Sequence, residues 1–106
     1  MHKIRINPLA QKDLLGIKEY ITKELESPVS AVKMISKIVE SYEKLKDFPM
    51  LGGSLSSKID IITDYRYLIS GNYIVFYKVD SIYISIYRIF HAKRDYLKIL
   101  FNAEVL

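Results

Sequence analysis

Six consecutive residues, His91-Ala92-Lys93-Arg94-Asp95-Tyr96, bring an imidazole, an ammonium, a guanidinium, a carboxylate and a phenol into one short stretch. An imidazole can take or give a proton near neutral pH. The adjacent cations can hold a phosphate or an acidic protein surface, or can simply solvate a helix. His91 can equally serve as a strand-end residue bonded to nearby backbone. Other chemistries find no support. The chain has no cysteine, which excludes disulfide staples, thiolate zinc sites and thiol catalysis. Its histidines, His2 and His91, stand far apart, and no spacing suits a metal. There is no glycine-rich phosphate loop and no Ser-His-Asp arrangement, so no cofactor is expected.

The elements that must position this cluster lie just before it. From Tyr65 the chain alternates β-branched and aromatic residues, interrupted at Gly71-Asn72 and Asp80-Ser81, which is the pattern of consecutive hairpins. With two-residue loops at both places, Leu68 faces Val75, Val75 faces Ile86, Tyr77 faces Ile84 and Val79 faces Ile82. Those residues make an aliphatic face that needs a cover. The opposite face collects Tyr65, Tyr67, Ile69, Ile74, Phe76, Lys78, Tyr83, Ser85, Tyr87, Ile89 and His91. A face this aromatic is either a partner surface or a platform for stacked bases. Tyr65, Tyr67, Phe76, Lys78, Tyr83, Tyr87 and Lys93 are its candidate partner-binding residues. Arg66 and Arg88 fall on the aliphatic side near its margins, where an ion pair with an acidic helix residue is expected.

The cover comes from the first half. Lys3-Ile4-Arg5-Ile6 reads as a short strand, on the sheet edge. Asn7-Pro8 offers a cap and a first-turn proline, and Leu14, Ile17, Ile21 and Leu25 recur at helical spacing to about Glu24. Gly16 weakens this helix and suggests close helix packing. Ser27-Pro28 starts a second helix to about Lys46, with a stripe of Val32, Ile35, Val39, Tyr42 and Leu45 and with Ile38 beside it. Tyr20 and Tyr42 read as helix-packing residues, and Met34 and Met50 as filler. The two helices form an antiparallel hairpin over the aliphatic face. Residues 47–58, with Gly52-Gly53 and several serines, read as a mobile loop. Ile59–Ile62 begins or precedes the first long strand. A short helix is expected within Ala92–Phe101, and Asn102–Leu106 is expected to fray.

The predicted fold is therefore α/β (α+β): a helical hairpin on one face of a three- to four-stranded antiparallel sheet, with a short C-terminal helix. A chain of 106 residues, half of them apolar, has material for a single domain spanning 1–106. The net charge of +4 favours an acidic partner, nucleic acid or protein. No signal peptide is visible, and no apolar run approaches the roughly 20 residues of a membrane span. No membrane association is expected, and a reducing cytoplasm suits the composition.

Four stretches in order, N-P-L-A-Q-K-D-L-L-G-I-K-E-Y-I, F-P-M-L-G-G, Y-R-Y-L-I-S-G-N-Y-I-V-F-Y-K-V and I-Y-R-I-F-H-A-K-R-D-Y, resemble the RelE/ParE superfamily of bacterial toxins over nearly the whole chain. The resemblance implies the growth-arresting toxin of a type II toxin–antitoxin pair, held inactive in a hetero-oligomer by a smaller antitoxin. RelE-like members cleave ribosome-bound mRNA without a metal, through attack of a 2′-hydroxyl on the adjacent phosphate. On that reading His91, Arg94 and Tyr96 are the catalytic residues. Such ribonucleases usually carry an arginine in the strand after the glycine turn, where this chain has Ile74, and lysine is expected at the neighbouring face positions that Tyr65 and Tyr67 occupy. An isoleucine cannot stabilise a pentavalent phosphate. The resemblance therefore leans to the ParE branch, whose members act on DNA gyrase; the mRNA endoribonuclease is the alternative, and a toxin decayed to antitoxin binding alone is a third.

Overall fold

The computed structural model describes residues 1–101, and the expected fraying of Asn102–Leu106 lies outside them. The two central hairpins are built by β3 (Arg66–Ser70), β4 (Tyr73–Val79) and β5 (Tyr83–His91). At the first turn Ser70 pairs with Tyr73, and Gly71 has φ +60°, a left-handed conformation that glycine adopts without a Cβ penalty. Leu68 pairs with Val75, as the hairpin arithmetic requires.

The second hairpin corrects the expected register. Val79 pairs with Ile84 and Tyr77 with Ile86, and the turn is Ser81-Ile82, one residue later than predicted. Asp80 sets this position: its Oδ1 accepts the N–H groups of Ile82 at 2.8 Å and Tyr83 at 2.6 Å. An aspartate bonded to the backbone ahead of it starts a turn and is not its centre. The shift is even, so Tyr77, Val79, Ile84 and Ile86 keep the expected face. Further along, the register jumps between Phe76 and Tyr77, with Phe76 opposite Arg88 and Val75 opposite Ile89. This bulge places one extra residue in β5 and inverts the faces beyond it. Ile89 therefore joins the helix-covered core, where Val75 pairs with it and not with the expected Ile86, and His91 follows it off the tyrosine face.

The sheet has five strands in the order β1-β5-β4-β3-β2 and is mixed. β1 (Lys3–Ile6) lies on the edge, parallel to β5, and β2 (Gly53–Ser54) is a short antiparallel partner of β3. The edge strand β1 stands where it was expected; its parallel pairing and the short β2 go beyond the expected three or four antiparallel strands, because neither is joined to its partner by a local turn. Helices α1 (Pro8–Glu24) and α2 (Pro28–Glu43), the latter extended by a 3-10 turn at Lys44–Lys46, form the expected hairpin. Ser27 caps α2, its hydroxyl accepting from the Ser30 N–H. Asn7 makes no side-chain cap on α1, and its N–H instead extends the sheet to the Ile86 carbonyl at 2.9 Å.

The helical pair covers Tyr73, Val75, Tyr77, Ile84, Ile86 and Ile89 with Ala10, Ile38, Tyr42 and Leu45. The buried side of α2 is rotated from the predicted stripe: Ala31 and Ile38 face inward, and Val32 faces water. The alternation reading thus holds where it matters, since Val75, Ile84 and Ile86 are fully buried.

The second sheet face is the larger correction. It is closed over part of its area by α4 (Tyr96–Leu100) and by a short helix, α3 (Leu55–Lys58). Leu55, Ile74, Phe76 and Phe90 form a second buried cluster there, with Tyr65, Tyr67, Tyr96, Leu97 and Phe101 packed against it. Residues 59–65 precede β3 and are not part of it.

Candidate functional site

At the end of β5 the chain reverses tightly: the His91 carbonyl accepts the Arg94 N–H at 3.0 Å, and His91 Nδ1 accepts the Lys93 N–H at 3.1 Å. Asp95 then caps α4, accepting from the Lys98 N–H. The imidazole therefore has the backbone partner expected of a strand-end residue. Its ring stands edge-on to Tyr73, with centroids 5.3 Å apart, on the side of the helical pair. Burial raises the Tyr73 hydroxyl above its ordinary pKa.

Tyr96 goes the other way. Its ring packs on Phe76 at 5.2 Å, in the second cluster. Arg94 lies over the Phe90 ring at 5.4 Å and remains exposed. The three residues read as catalytic from sequence are thus split by the sheet: His91 belongs to one side and Tyr96 to the other. Ile74, where an RNA-cleaving relative needs a cation, is 5% exposed under the second cluster.

Of the expected partner-binding residues, Phe76 is fully buried and cannot meet a partner. Tyr65 and Tyr67 are half-buried; Tyr65 meets Tyr87 and Phe101 edge-on, and its hydroxyl pKa is raised chiefly by burial. The ammonium of Lys78 sits over the Tyr65 and Tyr87 rings at 4.4 and 5.2 Å and pairs with Asp64 at 3.1 Å. Burial pulls the Lys78 pKa down, but the hydrogen bond and charge of Asp64 outweigh it and the net direction is upward. Tyr83 carries the Arg5 guanidinium at 4.2 Å, and Arg5 also donates to the Ser85 hydroxyl. Lys93 is exposed. What stays reachable on this face is a strip of paired cations and tyrosines running from Arg5 and Tyr83 to Lys78 and Tyr87.

A groove of about 770 Å³ opens elsewhere, between α1 and the end of β5. β1 stops at Ile6, so the outer edge of β5 beyond Ile86 has no strand beside it and α1 crosses there instead. Asp13 of α1 accepts from the Ile89 N–H at 2.9 Å and from Arg88 at 2.8 and 2.9 Å. The Asp13 bond pushes the Arg88 pKa upward. The pair is the ion pair expected for Arg88, although the bulge sets that residue opposite Phe76 on the second face and not on the helix-covered one. Arg66 differs: it donates to the Gly52 carbonyl at 2.6 Å and to the Tyr77 hydroxyl at 3.4 Å, holding a loop and not a helix. His91, Lys93, Arg94 and Lys12 line the groove, as does Tyr20, which is 60% exposed and does not pack between helices. Gly16 also opens on it, with nothing within 4 Å of a Cβ built there, so it marks no close helix contact. No local pattern announces this groove, because its walls come from segments far apart in the chain.

A helical hairpin on one face of a mixed sheet, with a basic turn after the last strand, is the arrangement that the resemblance to RelE/ParE toxins implies. Residues 4–96 match the family described as ParE toxin of type II toxin-antitoxin system, parDE, and the chain belongs to that family. It is a ParE-like growth-inhibiting toxin whose partner is an antitoxin. Among solved structures it is similar to a chain of the chromosomal ParDE toxin–antitoxin system from P. aeruginosa, with TM-score 0.72 and 23% identity, over 86% of this chain and 96% of that one. That likeness concerns the fold. No curated protein matches the chain at a significant level. Among the described residues no helix is long and apolar enough to cross a membrane.

Proposed function

We propose that the chain arrests growth by binding DNA gyrase, and that it does not cleave RNA. The observation that supports this most is the burial of Ile74. A phosphate-stabilising arginine would have to stand at that place, yet the site is filled by apolar packing with Phe76 and Phe90. Cleavage of RNA also needs a proton acceptor, a cation and a proton donor around one phosphate. His91 and Tyr96 lie on opposite sides of the sheet and do not converge on one. A protein ligand needs no such convergence. The half-exposed tyrosines and lysines of the second face, and the basic turn at Lys93 and Arg94, suit protein contact.

The test is a supercoiling assay with purified gyrase, relaxed plasmid and ATP, run beside a translation reaction programmed with a defined message. The expected result is inhibited supercoiling with accumulation of cleaved plasmid and an intact message. Message cleavage that disappears in His91→Ala and Arg94→Ala, with gyrase unaffected, would overturn the proposal in favour of the endoribonuclease. If production of the chain without antitoxin leaves growth unchanged, both give way to a chain that only binds its antitoxin.

A further inference from the structure

The charge of the chain is unevenly placed. Residues 8–46, the helical half, carry seven lysines against six carboxylates, whereas residues 1–7 and 47–101 carry nine lysines and arginines against five carboxylates. The positive excess thus belongs to the sheet and its loops. Three of these cations cross the second face: Arg5 on β1, Lys78 on β4 and Lys58 on α3, beside β3. Each lies over a tyrosine ring. Arg5 is 4.2 Å from the Tyr83 centroid, Lys78 is 4.4 and 5.2 Å from Tyr65 and Tyr87, and Lys58 is 4.8 Å from Tyr67. A ring beneath a cation holds it in place, so less side-chain freedom is lost when an anion arrives. The neighbouring carboxylates do not cancel the row. Asp64 on Lys78 is 78% exposed, and Asp80 stands 4.0 Å from Arg5 with 56% exposed. Ion pairs this wet are weak and yield to a better anion. Lys58 has no ion-pair partner among the described residues.

We propose that this row of ring-held cations binds the phosphate backbone of duplex DNA, the DNA that gyrase is holding when the toxin engages it. The inference goes beyond the gyrase reading and rests on it only for where the DNA is met. Spacing favours a polyanion. From β1 to β3 the row spans three strand intervals, about 14 Å. That is about four base-pair steps of a duplex strand. The chemistry of the face agrees, because its apolar centre is closed by α4 and leaves cations and phenol hydroxyls to a partner. A duplex fits better than a single strand, whose unpaired bases need bare aromatic faces. Here each ring already carries a cation, and Tyr65 is also met edge-on by Tyr87 and Phe101. Contact of this kind reads no base sequence and weakens steeply with salt.

The experiment follows a fluorescent duplex of about 20 base pairs by anisotropy as the full chain is added, between about 50 and 200 mM KCl. The wild type is expected to bind with a slope of log Kd against log salt of about 3, roughly 0.9 for each phosphate met. Arg5→Gln/Lys58→Gln/Lys78→Gln, its fold checked by thermal melting, is expected to weaken Kd by about 10-fold or more and to lower the slope by about 2–3. Arg5→Lys/Lys58→Arg/Lys78→Arg keeps the charges and is expected to keep both quantities. Lys44→Gln, an exposed charge on the helical side, is the control and is expected to bind as the wild type does. A folded glutamine variant that binds the duplex normally overturns the inference. A single-stranded oligomer preferred to the duplex and lost in Tyr87→Leu overturns it too, since the face would then stack bases. So does a glutamine variant that loses only the capture of DNA-free gyrase, which would make the row a protein surface. The gyrase reading fails separately: a wild type that binds duplex through the row but leaves supercoiling untouched removes gyrase and keeps the surface. Inhibited supercoiling by a wild type that does not bind duplex does the reverse.

Discussion

Arg88 grips Asp13 with two nitrogens, at 2.8 and 2.9 Å, and the same carboxylate takes the Ile89 N–H. One side chain of α1 thus does for β5 what β1 no longer can, satisfying an amide on its outer edge where β1 has ended. It also fixes the wall of the groove. Asp13 and Arg88 are mostly buried, with 11% and 21% of their side-chain surface exposed. Removing one partner of a fully buried pair costs about 3–5 kcal/mol, and the residual exposure lowers the expectation here to about 2–3 kcal/mol for Asp13→Ala. Urea unfolding of Asp13→Ala, Arg88→Ala and the double variant measures it. A double variant no worse than either single one is the expected coupling; simple additivity would show that the pair does not act as a unit.

Tyr77 is a fully buried phenol whose hydroxyl accepts from the Gly52 N–H at 3.1 Å and from Arg66, and donates to the Pro49 carbonyl at 2.9 Å. The loop between α2 and β2 hangs on that oxygen. Tyr77→Phe keeps the ring and strands those partners, so a loss of about 1–2 kcal/mol is expected. Faster amide hydrogen exchange confined to residues 49–53 is the accompanying sign. Gly52→Ala tests the same clamp from the other side, because a Cβ there would run into the Tyr67 carbonyl.

Gly16 sits within α1 with open space where a Cβ would point. Gly16→Ala is therefore expected to raise stability by about 0.5–1 kcal/mol through helix propensity alone. Thermal melting checks it, and a loss of stability would mean that the backbone approach at this point is tighter than the geometry shows.

Asp80 has its carboxyl held below the ordinary carboxylate range, first by the Tyr83 and Ile82 amides and then by the charge of Arg5. A depressed folded pKa contributes stability that is present above the unfolded value, near 4, and is lost as pH falls through the folded one. The melting temperature of the wild type is thus expected to fall more steeply on acidification below about pH 4 than that of Asp80→Asn. Parallel acid slopes would remove Asp80 from the account.

Much of the fold was legible in residue order. The alternation from Arg66 to His91, the Gly71 turn and the two Pro-started helices specify a helical pair over an aliphatic sheet face, because side-chain periodicity is a local property. The family resemblance was legible for the same reason, in four short stretches. The Asp80 turn is a local signal as well, since an aspartate bonded to the backbone ahead of it starts a turn at the two residues that follow, Ser81 and Ile82.

What the tertiary structure alone decided concerns the site. A single bulge between Phe76 and Tyr77 moves His91 to the helix side, and nothing in the spacing of β5 announces it. The docking of α4 turns the tyrosine face from an open platform into a second core, buries Phe76 and parts Tyr96 from His91. The groove exists because β1 ends at Ile6 and α1 passes beside the bare length of β5. Residue order fixes which side chains alternate; which face is then left open depends on how distant segments compete to cover it, and that competition is settled only by packing the whole chain.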